Sequence, residues 1–223
     1  MAQQRLDALL VQQGIASGRD QAKAFILSGQ VQVDGQRVDK AGAMVPDTAQ
    51  IVFTGKNIPF VSRGGLKLAK ALTEFAIELA GRRVLDLGAS TGGFTDCALQ
   101  NGAIEVVAVD VGYGQLAWSL RNDSRVKVME RTNARYLTPE AINGPVDFVT
   151  ADLAFISLTK VLPILPPLIS ETAEAVVLVK PQFEAGRGQV GKKGVVKDPA
   201  VHEAVINRVA EVAKGLGLQP VNV

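Results

Sequence analysis

The chain has 223 residues, 47% apolar and 21% charged, a balance typical of a folded globular protein and too apolar for a disordered one. No apolar run approaches the roughly 18 residues of a membrane-spanning helix, and the polar start Met1 to Asp7 is unlike a secretory signal, so a cytoplasmic protein with no membrane insertion is expected. One cysteine (Cys97) rules out an internal disulfide, and with a single histidine (His202) zinc-hydrolase and Ser-His-Asp chemistries are disfavoured; no metal is expected. Net charge is +2, unevenly spread: residues 1–70 hold nine Lys/Arg against five Asp/Glu, and the rest hold fifteen against seventeen. The basic start suits an anionic partner, although the same excess is also ordinary solvated surface.

In chain order, Arg5 to Gln13 reads as a helix with Leu6, Leu9 and Leu10 on one face. Ser17 is a candidate N-cap for a second helix over Arg19 to Leu27, closed by Gly29. The period then changes to two: Val31 and Val33 alternate with polar residues, Asp34-Gly35 forms a tight turn and Val38 returns. Pro46-Asp47 is a second turn, before a short strand over Gln50 to Phe53. A unit of residues 1–55, a linker at 56–61 and a second domain from 62 to 223 follow from this reading.

The residues Arg5-Leu6-Asp7, Ser17-Gly18-Arg19, Ala22, Ile26, Gly29, Val31, Val33, Asp34-Gly35 and Val38 resemble an S4 domain. The resemblance implies a small α+β fold that binds structured RNA, with Arg5, Arg19 and Lys23 as candidates for phosphate contacts. Each is equally readable as a solvent-facing helix charge.

After the linker, Val61-Ser62-Arg63-Gly64-Gly65-Leu66-Lys67-Leu68 leads into a helix expected to reach Leu79, capped by Ser62. From Arg82 strand and helix signals alternate. Strands are expected at Val84 to Leu87, Glu105 to Val109, Val126 to Met129, Val146 to Ala151 and Ala175 to Val179. Helical stretches are expected at Phe94 to Asn101, Leu116 to Arg121, Thr138 to Ile142, Leu158 to Ile169 and Val201 to Lys214. Such alternation predicts an α/β, Rossmann-like parallel sheet, with ligands at the carboxyl ends of its strands.

The turn Gly88-Ala89-Ser90-Thr91-Gly92-Gly93 after the first strand can serve NAD or S-adenosylmethionine. Ser90 replaces the glycine that lets a pyrophosphate approach, which favours S-adenosylmethionine. Candidate cofactor-binding residues are Asp86, Gly88, Ser90, Gly92, Gly93, Phe94, Asp110, Val111, Asn133 and Asp152. Asp110, twenty-two residues after Gly88, is suited to the ribose hydroxyls; Asp86 is expected to meet the turn amides or the cationic end of the ligand, and Asn133 an adenine edge. Asp152 and Lys180 end the fourth and fifth strands, and Lys67 stands near the start of the domain. A lysine set between desolvation and a second ammonium can serve as general base towards an alcohol, steadied by the carboxylate. Lys67, Asp152 and Lys180 are therefore the catalytic candidates, though each lysine alone reads as a surface residue.

These segments resemble the FtsJ-type 2′-O-methyltransferases. The order of S4 unit, Ser-Arg-Gly-Gly-Leu-Lys-Leu and sheet resembles the TlyA, or hemolysin A-like, rRNA methyltransferases over essentially the whole chain. That resemblance implies methylation of cytidine ribose 2′-hydroxyls in ribosomal RNA, with ribosomal subunits as partners. The family's catalytic set is Lys, Asp, Lys, Glu; Lys67, Asp152 and Lys180 match the first three. The Glu is expected beyond Val223, since Glu184 follows Lys180 too closely to replace it. Leu218 to Val223 reads as the opening of a sixth strand, so the C-terminal strands are expected to be truncated and a sheet edge exposed.

Arg63 and the basic loop bearing Arg187, Lys192 and Lys193 are further RNA-binding candidates. Phe183 suits either stacking on a flipped base or a place in the core. Cys97 and Trp118 read as packing residues and His202 as a surface one. Competing readings are an NAD-dependent oxidoreductase, an RNA-binding or ribosome-assembly factor without catalysis, and a membrane-active hemolysin. Ser90 and the missing Y-x-x-x-K spacing oppose the first; the lack of an apolar span or long basic amphipathic helix opposes the last. The target nucleotide and the oligomeric state stay open.

Overall fold

The computed structural model describes all residues except 1, 17, 56, 57 and 192, and the Arg187 side chain. The chain divides into two units, Met1–Asn57 and Ile58–Val223.

The first unit contains β1 (Gln3–Arg5), α1 (Leu6–Gln12), α2 (Arg19–Leu27), β2 (Val31–Val33), β3 (Gln36–Arg37), β4 (Met44–Pro46) and β5 (Ile51–Phe53). Strands β3-β2-β5 form an antiparallel sheet; β1 and β4 pair separately, with Gln4 opposite Val45. Its core is the apolar face of the helix pair, Leu6, Leu9, Leu10, Ala22 and Ile26, packed with Val31 and Val45. Asp34 and Gly35 both take positive φ, 49° and 81°, the geometry that matches hairpin twist. The β1/β4 pair was not expected: three polar residues, Gln3 to Arg5, carry no alternation, so Arg5 lies in a strand and the helix starts at Leu6. The N-cap position of α2 is Gly18; Ser17 lies outside the described residues.

The second unit holds α3 (Gly64–Glu74), β6 (Arg83–Leu87), α4 (Gly93–Gln100), β7 (Glu105–Val109), α5 (Trp118–Arg121), β8 (Val126–Met129), β9 (Val146–Ala151), β10 (Ile169–Val177), α6 (Pro181–Glu184) and α7 (Pro199–Gly215). Its five strands are parallel in the order β10-β9-β6-β7-β8, with Leu85 level with Val107 and Val149. The two-residue period divides the core: Val84, Val106, Ala108 and Phe148 face one layer, while Leu85, Leu87, Val107 and Val149 face the other.

Several elements depart from expectation. Helix α3 stops at Glu74, and Ala76 turns left-handed at φ 52°, yet Leu79 is still buried. The stretch from Leu158 forms three single 3-10 turns, because Pro163, Pro166 and Pro167 lack the amides a continuous helix needs. Strand β10 begins at Ile169 rather than Ala175, with a register shift before Glu174, and ends at Val177. Leu218 to Val223 carries no strand. Trp118, expected to pack, is 76% exposed: α5 is a single turn whose buried residue is Leu120. Among the described residues, no helix is long and apolar enough to cross a membrane, and no His, Cys, Asp or Glu group is arranged to hold a metal.

Candidate active site

The carboxyl ends of β6, β7 and β9 open onto a cleft of about 600 Å³. Its floor is the glycine turn after β6. Gly88 has φ 85°, and a Cβ there would lie 2.9 Å from the Asp152 carbonyl oxygen, so the turn sits directly against the segment leaving β9. Ser90 is also left-handed, at φ 49°. Asp110 holds it there: one carboxylate oxygen accepts the Ser90 amide at 2.8 Å and the other the Gly112 amide at 2.7 Å. A carboxylate offers about four acceptor positions, so capacity remains for a ligand's hydroxyls.

A close approach of glycines brings α3 to the same cleft. A Cβ on Gly93 would meet Ser62 Oγ at 2.3 Å and the Gly65 nitrogen at 2.8 Å. Ser62 Oγ accepts the Gly64 amide at 3.3 Å, at the start of α3, while the N-cap position itself is Arg63, which is exposed. One turn on, Lys67 reaches the cleft, its ammonium 5.7 Å from the Phe94 ring centroid.

Lys67, Asp152 and Lys180 meet at the wall of the cleft. Lys67 Nζ donates to Asp152 Oδ2, and Lys180 Nζ lies 2.5 Å from Asp152 Oδ1, an ion pair without the alignment of a directed hydrogen bond. Burial works against the Asp152 carboxylate, but Lys180 and then Lys67 outweigh it and hold its pKa below the ordinary value. The lysines do not simply repel one another; they share one carboxylate.

Of the other expected cofactor residues, Gly88, Ser90, Gly93, Phe94, Asp110, Val111 and Asn133 line the cleft. Asp86 and Gly92 do not. Asp86 is buried and accepts from Thr95 Oγ1 at 2.7 Å and Thr150 Oγ1 at 2.8 Å, which tie α4 and β9 to β6. Burial pushes its pKa up to about 6, with the two threonine hydroxyls pulling the other way. Gly92 has φ 93° and lies under Leu116 and Leu120, where a side chain would collide.

Phe155 was missed by the sequence reading. It is 92% exposed, left-handed at φ 62°, and three residues past Asp152, a position that was its only signal. Its ring lies 5.3 Å from that of Phe183, at 51°. With Arg135, Lys160 and Ser157 these rings line a second hollow of about 360 Å³, which shares Phe155 and Ile156 with the main cleft. Glu184 is buried outside both, bonded to Ser157 and Leu158. Arg5, Arg19 and Lys23 are exposed on the first unit, but Arg5 gives two donors to the buried Asp7, at 3.0 and 2.7 Å, and Lys23 pairs with Asp20 at 3.4 Å. Lys193 is exposed; Lys192 and the Arg187 side chain lie outside the described residues. Cys97 is buried with its thiol pushed up to about 12, mainly by burial, and His202 Nε2 lies 2.8 Å from the Val196 carbonyl.

Residues 60–223 match the FtsJ-like methyltransferase family, and residues 4–51 match the S4 domain. The chain is 56% identical over 220 residues to the 16S/23S rRNA (cytidine-2′-O)-methyltransferase TlyA of Mycobacterium tuberculosis, covering 98% of this chain and 82% of that protein. Identity to Hemolysin A of Brachyspira hyodysenteriae is 41% over 219 residues, covering 98% and 91%. A solved structure of a protein from Streptococcus thermophilus, named there a hemolysin, superposes with a TM-score of 0.73 at 44% identity, covering 97% and 80%.

Proposed function

The chain belongs to the FtsJ-like methyltransferase family and carries an S4 domain, and on that premise we propose that it methylates cytidine ribose 2′-hydroxyls of ribosomal RNA, using S-adenosylmethionine. The observation that carries this reading is Asp152 bracketed by Lys67 and Lys180 in the wall of a cleft whose floor is the glycine turn held by Asp110.

The cleft residues fit the cofactor. Asp110 keeps acceptor capacity for ribose hydroxyls, the turn from Gly88 offers backbone close to the ligand, and Asn133 presents an amide side chain on the adjacent loop. S-adenosylmethionine bound there supplies a methyl group on a sulfonium, for which an oxygen nucleophile is needed.

The protein's task is then to orient that oxygen and take its proton. Lys180 Nζ is the acceptor for the 2′-hydroxyl proton, and Asp152 balances the ammonium that forms. Two cations share one carboxylate, so the loss of one proton beforehand leaves a neutral Lys67–Asp152 pair rather than a bare charge. Lys67 thereby keeps Asp152 ionised and oriented. The Phe155–Phe183 rings with Arg135 and Lys160 suit a nucleotide, base on ring and phosphate on cation. Arg5, Arg19 and Lys23 of the S4 domain, with Arg63, Arg187, Lys192 and Lys193, supply further phosphate contacts.

The test is calorimetric titration of S-adenosylmethionine into wild type and Lys180→Met, beside methyl transfer to ribosomal subunits. Both proteins binding the cofactor, with only wild type transferring methyl groups, is expected. A wild-type chain that neither binds nor transfers contradicts the reading.

A further inference from the structure

The segments leaving β9 and β10 run side by side and are tied together three times: Lys180 with Asp152, Phe183 with Phe155, and Glu184 with Ser157 and Leu158. The first tie belongs to the proposed chemistry and the second to the proposed nucleotide hollow. The third shares Ser157 with that hollow, but its carboxylate lies outside both sites and is the most buried of the three groups on the β10 side.

Glu184 Oε2 accepts from Ser157 Oγ at 2.6 Å, and Oε1 accepts the Leu158 amide at 2.7 Å. Ser157 in turn caps the 3-10 turn that begins at Leu158, accepting the Thr159 amide at 3.2 Å. From the other side, Arg208 of α7 donates to the Glu184 carbonyl oxygen and lies 3.4 Å from its carboxylate. The Glu184 side chain is 1% exposed. A buried carboxylate with only charge-assisted and backbone partners has one tolerated position, so it transmits that position to both segments.

Asp152 is five residues before Ser157, and Lys180 four before Glu184, so this clasp closes the far end of the ladder that Asp152 and Lys180 open. Phe155, left-handed at φ 62°, lies in the chain between Asp152 and Ser157, with its ring 5.3 Å from that of Phe183. We propose that Glu184 is a positioning residue for methyl transfer: it fixes the 152–157 and 180–184 segments against each other, and so sets Lys180 against Asp152 and aims Phe155 at RNA. This role rests on the methyl-transfer reading above, but it concerns a group outside the cofactor cleft.

The experiment compares wild type, Glu184→Gln, Ser157→Ala and the double variant in methyl transfer to ribosomal subunits, well below each unfolding midpoint and scaled to cofactor-binding sites counted by titration. Glutamine keeps shape and one acceptor but removes the charge; alanine at 157 removes the hydroxyl that bonds Glu184 and caps the turn at Thr159, while the Glu184 carboxylate keeps the Leu158 amide and Arg208. Expected is a kcat about tenfold lower in each single variant, cofactor affinity within about twofold of wild type, and a double variant no worse than the poorer single one. Amide exchange is expected to speed up across 153–160 but not across 88–93. Unchanged kcat per binding site in both single variants, or losses that multiply in the double variant, overturns the role. A wild type that binds cofactor but transfers nothing sinks the methyl-transfer reading, and this role with it; an active wild type with unaffected variants sinks only this role.

Discussion

The Ser90 amide donates to Asp110 at the floor of the cleft at 2.8 Å, so the side chain suited to bind the ligand's ribose also shapes the turn it stands beside. Replacing Asp110 therefore tests the proposed ribose contact and the shape of the turn together. Asp110→Ala is expected to weaken S-adenosylmethionine binding by more than about tenfold, since a hydrogen bond to a charged group contributes about 1.5–3 kcal/mol. Asp110→Asn, which keeps one acceptor, is expected to fall between. Calorimetry on the three proteins decides it, and equal affinities would contradict the assignment.

Lys180→Met is expected to lower kcat by at least about a hundredfold, the lower end for loss of a general base, while cofactor affinity stays within about threefold. Lys67→Met leaves the Asp152–Lys180 pair intact and is expected to cost less. Single-turnover transfer rates rank them. A Lys67 variant slower than the Lys180 variant would reverse the two roles.

Much of the second domain was legible because its strands are apolar runs closed by polar residues. Strands β7, β8 and β9 fall on their expected limits, and a run such as Val146 to Ala151 leaves little ambiguity. What was not legible depends on partners distant in sequence. Asp86 stands on the first strand, next to a glycine turn, and reads as a ligand contact; only the fold brings Thr95 and Thr150 to its two oxygens. Phe155 carried no periodic signal, since its exposure follows from a left-handed backbone at a strand end. The β1/β4 pair is too short to show alternation, and the 3-10 turns after Leu158 keep a helix-like apolar spacing although their prolines break the ladder. The meeting of Lys67, Asp152 and Lys180 was foreseeable from strand ends, but the reach of Lys67 depends on the Gly65–Gly93 approach.

That approach, and the one at Gly88, make glycine replacement a geometric test. Gly88→Ala puts a Cβ 2.9 Å from the Asp152 carbonyl on a backbone at φ 85°. It is expected to cost about 2 kcal/mol or more of stability and to lower methyl transfer, because Asp152 must move. Gly144→Ala is the control: φ is 97°, but nothing lies within 4 Å, so strain of about 1 kcal/mol with normal transfer is expected. Denaturant unfolding and transfer assays together separate strain from displacement.

Asp86 predicts a pH dependence of unusual sign. Its folded pKa of about 6 lies above the ordinary 3.8, so between these values the folded chain holds the proton more tightly than the unfolded one. Stability from this group is full below about pH 4 and is lost as pH rises through 6, on the order of 3 kcal/mol across the window. Asp7, whose pKa is lowered, runs the opposite way and cancels when wild type is compared with Asp86→Asn at each pH, whereas the Asp152 charge is itself one of the causes that raise Asp86. The wild type is expected to lose ground to Asp86→Asn between pH 4 and 7. A difference constant with pH would show that the carboxylate is not held in its buried, threonine-bonded setting.

The most direct test of the account is to label ribosomal subunits with tritiated methyl groups from S-adenosylmethionine, digest the RNA to nucleosides and identify the labelled product. The account predicts 2′-O-methylcytidine with the wild-type chain and none with Asp152→Asn, whose carboxamide cannot balance the charge on Lys180. Label on a base carbon or nitrogen, or equal 2′-O label from the Asp152→Asn protein, would contradict it.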